Sequence, residues 1–80
     1  MNTIFRRNDK VVLLNDPDPE YVEYHNEDEP GFEEIPIKKG MIGCINIILP
    51  NGRYHVEILN SKGETLAYVP MDEEDLRKIE

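Results

Sequence analysis

Eighty residues, 39% of them hydrophobic, leave room for one small core, near the lower size at which a chain folds without disulfides or metal. The formal charge of −8 belongs to one stretch: Asn15 to Glu34 (NDPDPEYVEYHNEDEPGFEE) holds nine of the seventeen carboxylates and no Lys or Arg, so it carries −9 and the remainder about +1. Such a chain is repelled by phosphate backbones, which argues against direct nucleic-acid binding; its single cysteine excludes an internal disulfide, and no apolar run approaches the ~20 residues of a membrane-spanning helix.

In chain order, MNTIFRRND mixes apolar and basic residues without a period and has no basic-then-apolar leader, so a reducing cytoplasm is the expected compartment. KVVLL at Lys10 to Leu14 reads as the first strand, closed by the turn-forming Asn15-Asp16-Pro17. An acidic insert, residues 15–37, follows. Pro17, Pro19, Pro30 and Pro36 block a regular helix there and predict a long loop with one helical turn around Glu20 to Tyr24.

Lys38-Lys39-Gly40 reads as a turn, MIGCINIIL as an Ile-rich strand, and Asn51-Gly52 as the centre of a type I′ hairpin turn. YHVEIL alternates Tyr54, Val56 and Ile58 against His55, Glu57 and Leu59, the period of a half-buried strand. Asn60 to Gly63 is a second turn and ETLAYV a further strand. Gly43, inside a strand pattern, predicts a bulge or sharp bend. PMDEEDLRKI reads as a single helical turn with Asp72 at its N-cap, leading into a short closing strand. About five short strands, a long acidic loop after the first and one short helical turn near the C-terminus predict a mainly β domain over residues 1–80, a small SH3-like barrel.

The segment KKGMIGCINIILPNGRYHVEILNSKGETLAYVPMDEEDL resembles a family of small bacterial proteins classed as a domain of unknown function, through Lys39, Gly40, Gly43, Tyr54, Val56, Glu57, Gly63, Thr65, Asp75 and Leu76. The resemblance covers residues 10–15 and 38–77 and implies an SH3-like barrel without assigned catalytic residues. That family crosses from its first strand to the Lys-Gly turn in fewer residues, so the acidic insert is this chain's own device.

Catalytic chemistry finds little support. Ser61, Thr3, Thr65 and Cys44 with His25 and His55 are a poor supply for a nucleophile and its base; Ser61 belongs to a turn, and Cys44 in mid-strand reads as a buried small hydrophobe. The two histidines have no Cys or His neighbour at ligand spacing and read as solvent-exposed. Asp16-x-Asp18-x-Glu20, with Glu27 at the twelfth position, echoes a calcium loop but lacks its turn glycine and is stiffened by two prolines. No metal, cofactor or enzymatic activity is expected.

The insert therefore reads as a binding surface. Asp16, Asp18, Glu20, Tyr21, Glu23, Tyr24, Glu27, Asp28, Glu29, Phe32, Glu33 and Glu34 combine attraction for Lys and Arg with aromatic anchors. The expected partner is a basic protein, a nuclease or other nucleic-acid-binding enzyme, inhibited by charge mimicry in the manner of an antitoxin, immunity protein or phage-encoded anti-defence protein. The alternative is an SH3- or Tudor-like peptide reader or accessory module, with Tyr21, Tyr54 or Tyr68 forming the groove.

Overall fold

The computed structural model describes residues 4–79. Its strands are β1 (Lys10–Leu13), β2 (Glu23–Tyr24), β3 (Ile42–Ile48), β4 (Arg53–Leu59), β5 (Thr65–Asp72) and β6 (Leu76–Lys78). They make one antiparallel sheet in the order β2-β5-β4-β3-β1-β6, open at β2 and β6. The fold is mainly β, as expected, and the additional strand, β2, lies within the insert. Among the described residues no helix is long and apolar enough to cross a membrane.

The hairpins follow their turn chemistry. Asn51 and Gly52 have φ of 66° and 74°, the positive values that a type I′ turn demands at both central positions. At the second hairpin Asn60 Oδ1 accepts from the amides of Lys62 and Glu64, both at 2.9 Å, so one side chain satisfies two turn donors. β5 runs through Pro70 to Asp72, beyond the Val69 at which the sequence pattern stops it. β2 pairs only with Tyr68 and Ala67, so β5 has no partner on that side at Pro70, and the missing amide of the proline costs no ladder bond there. The C-terminal turn is a 3₁₀ turn, Glu73–Asp75. Asp72 stands at its N-cap but gives it no side-chain bond, accepting instead from Arg53 Nε at 3.0 Å.

The core is built by alternation. Tyr54, Val56 and Ile58 of β4, Ala67, Val69 and Met71 of β5, Val11 and Leu13 of β1, Ile45 of β3 and Leu76 of β6 are buried on one face. Burying each large apolar side chain contributes on the order of 1.5–3 kcal/mol. Phe5, from the segment without periodicity, also enters the core and meets the Tyr54 ring edge-on at 5.1 Å. A clip at Arg6–Asp9 places it: Arg6 N donates to Asp9 Oδ2 at 2.8 Å, while Asn8 N bonds Ile45 O and Ile45 N bonds Asp9 O.

Two sequence expectations on β3 are corrected. The ladder irregularity falls between Ile45 and Ile47, not at Gly43; the extra residue there leaves both Ile47 and Ile48 exposed. Gly43 answers a different need, because a Cβ at this position would stand 2.7 Å from Glu57 O and 2.8 Å from Val56 Cγ1. Cys44 is only half-buried: with Gly43 and Ile45 inward, it shares the outer face with its cross-strand partner Glu57.

Gly43→Ala should therefore lower the unfolding free energy by about 1–3 kcal/mol in urea titration, since the clash is with backbone and cannot be relieved by a rotamer change. Tyr54 Oη is buried without a hydrogen-bond partner among the described residues. Tyr54→Phe should match or exceed wild-type stability in the same titration; a loss above about 2 kcal/mol would reveal a bond to the hydroxyl.

Candidate functional site

The insert is tied to the sheet without an ion pair among the described residues. At its base Leu13 O accepts from Gly40 N at 2.7 Å and Leu13 N donates to Met41 O at 3.0 Å. Asp16 Oδ1 accepts from the Lys39 amide at 2.8 Å, across the neck of the loop. Further out, Asp18 caps the 3₁₀ turn Pro19–Tyr21 by accepting from Glu20 N at 3.0 Å, a local bond that fixes the chain's approach to β2. β2 then adds to the edge of β5 with Glu23 opposite Tyr68 and Tyr24 opposite Ala67, and His25 N bonds Leu66 O at 2.9 Å. The return arm contributes Ile37 to the core, against which Val22 and Tyr24 pack from the outgoing arm.

This architecture divides the sequence-predicted residues. Tyr24 and Phe32 are half-buried against each other, edge-on at 5.5 Å, and Tyr24 Oη donates to Ile35 O at 2.7 Å, so these two aromatics hold the arms of the lobe together. Asp16 and Asp18 are engaged with backbone amides. Glu20, Glu23, Glu27, Asp28, Glu29, Glu33 and Glu34 are exposed, and none of them forms an ion pair among the described residues, where the pairs are Arg53–Asp72 and Lys78–Asp9. Tyr21 is 57% exposed at the end of the 3₁₀ turn.

Tyr21 does not stand alone. Glu20, Tyr21 and Glu23 form one wall of a cleft of about 390 Å³ whose other lining is His55, Tyr68 and Pro70 from the outer face of the sheet and Leu49 just past the end of β3. In that face the His55 ring stacks on Tyr68 at 5.4 Å and 12°, and His25, exposed as expected, meets Tyr68 edge-on at 6.1 Å. His55 is half-buried and joined to Asn46, Nδ2 to Nδ1, at 3.1 Å, a departure from the exposed position expected of it. Tyr54 faces the core and takes no part in the cleft. The outward phase of His55, Glu57 and Tyr68 is readable from strand alternation; the register that gathers them beside the insert is not.

No family model matches the chain, and neither a curated protein nor a solved structure matches it.

One ionisable group of the lobe is displaced. Burial, and after it the Glu34 carboxylate, hold the Tyr24 phenol above its ordinary value of about 10. The folded chain thus keeps this proton more tightly than the unfolded chain. The resulting stabilisation is whole below pH about 10 and is lost as pH rises through the raised value. A tyrosine ¹³Cζ NMR titration, assigned with Tyr24→Phe, should place the Tyr24 midpoint above the ordinary phenol value, and the variant should lose about 1 kcal/mol with the Ile35 bond. An unshifted midpoint would mean that the two arms are not packed together.

Proposed function

We propose that this protein is a non-enzymatic inhibitor that covers a basic, nucleic-acid-binding surface of a partner protein with its acidic lobe. The antitoxin, immunity and phage-encoded anti-defence types all fit this description. The observation that carries the reading is the set of seven exposed carboxylates that form no ion pair among the described residues, on a lobe that backbone bonds and packing hold to the sheet. Carboxylates so placed repel one another in the free protein, and a Lys- and Arg-rich surface relieves that repulsion while they occupy the positions of phosphates. Anchoring at the neck, at the capped turn and at β2 reduces the ordering cost on binding, which a free acidic tail would meet in full.

The scaffold is proposed to be SH3-like. In support, β1 lies between β3 and β6, β3 to β5 form a meander, and a 3₁₀ turn directly precedes the last strand. The acidic lobe then occupies the long connection after the first strand, where variation leaves the core unchanged.

Replacing Glu27, Asp28 and Glu29 together by Lys changes the formal charge from −8 to −2, six units, at exposed positions. The triple variant should unfold within a few degrees of wild type yet fail to retain the basic protein that wild type captures from native lysate, and association of the wild-type pair should slow steeply with salt. The purified captured protein should lose nucleic-acid binding when wild type is added. Equal retention by both forms would exclude electrostatic capture by the lobe.

A further inference from the structure

We infer that the cleft beside the lobe is an arginine socket, in which one arginine side chain of the basic partner lies between Tyr21 and Tyr68 and is met by Glu20 and Glu23. The inference rests on the acidic-lobe reading and adds to it a point of attachment that charge alone does not specify.

Sheet register is the first argument. Glu23 of β2 is directly opposite Tyr68 of β5 and lines the cleft with it, whereas Glu57 of β4, opposite Tyr68 on the other side, is bonded by Thr65 and lies outside the lining. Cross-strand neighbours on one face stand about 4.5–5.5 Å apart at Cβ, within reach of one guanidinium laid on the ring. Glu23 is exposed and has no cation of its own among the described residues.

Aromatic surface is the second. Tyr21, 57% exposed, rises from the opposite wall and Tyr68 forms part of the floor, with Pro70 and Leu49 completing an apolar lining. A cation over an aromatic face gains on the order of 0.5–2 kcal/mol, increasing as water is excluded. Arginine suits the arrangement better than lysine: its guanidinium is planar, weakly hydrated, and able to donate to a carboxylate on either edge while its face lies on a ring. Among the described residues no Lys or Arg lines the cleft, so the negative charge of Glu20 and Glu23 is not satisfied from within.

The test uses the whole chain and Nα-acetyl-arginine amide, with the neutral isostere Nα-acetyl-citrulline amide as control, followed by ¹H–¹⁵N NMR. Arginine amide should shift Glu20, Tyr21, Glu23 and Tyr68 along one saturable curve, citrulline amide should not, and Tyr68→Leu, which keeps bulk in the sheet face, should abolish the response. Glu23→Gln, at an exposed edge position, should weaken it several-fold and stands in for Tyr68→Leu should that variant fail to fold. No shift, equal shifts with citrulline, or shifts confined to Glu27–Glu34 would overturn the socket. Against the captured partner, Tyr68→Leu should weaken binding by about tenfold, mostly through faster dissociation. Wild-type affinity for Tyr68→Leu, with binding lost in the Glu27/Asp28/Glu29 charge reversal, would overturn the socket and leave the acidic lobe standing. Wild-type affinity in both variants would overturn both.

Discussion

A chain segment carrying nine carboxylates and no cation has to be held against a small sheet without crowding its charges together, and no ion pair among the described residues does so. The neck of the insert meets this constraint. Two backbone bonds join Leu13 to Gly40 and Met41, and the Lys39 amide, rather than its ammonium, satisfies Asp16. Closing a loop of this length costs roughly 3 kcal/mol in chain entropy, and three such bonds at about 1 each only offset that cost, so the neck by itself leaves no surplus. The balance comes from Ile37 in the core, from Val22 and Tyr24 packed against it, and from the two-residue β2 ladder.

These attachments determine where the charge goes. Because Tyr24 and Phe32 are used between the arms, the carboxylates around them turn outward, and the aromatic that remains free is Tyr21. Because Asp18 caps the turn that carries Tyr21, that ring projects beside the outer face of the sheet. A single chain of local choices, proline, cap, turn and edge strand, thus carries an acidic lobe to the rim of an aromatic cleft. The same sheet that buries Val56, Ile58, Ala67 and Val69 inward presents His55, Glu57 and Tyr68 outward, so core and cleft are two faces of one register.

That register depends on small features. Gly43 allows β3 to approach β4 more closely than any side chain would permit, and the irregularity after Ile45 resets which residues of β3 face out. A one-residue slip would invert both faces at once, exposing the core and burying Glu57 and His55. Burial of the β4 and β5 apolar set makes such a slip costly. The outer face is therefore specified by the inner one.

The five strands other than β2, both hairpin turns, the C-terminal helical turn, the inward set of β4 and the location of the acidic insert were legible in the sequence, because each depends on local chemistry: β-branched runs, Asn-Gly, alternation of period two, proline. The reach of β5 past Pro70, the burial of Phe5, the outward Cys44 and the true place of the bulge were not, because each depends on what lies on the neighbouring strand. The composition of the insert showed that it was acidic and aromatic; it could not show that two aromatics are used internally and one is left free. Only the tertiary fold brings Glu23 and Glu57, far apart in the chain, to either side of Tyr68. Pairing across strands is a long-range equilibrium, and no local pattern encodes its partners.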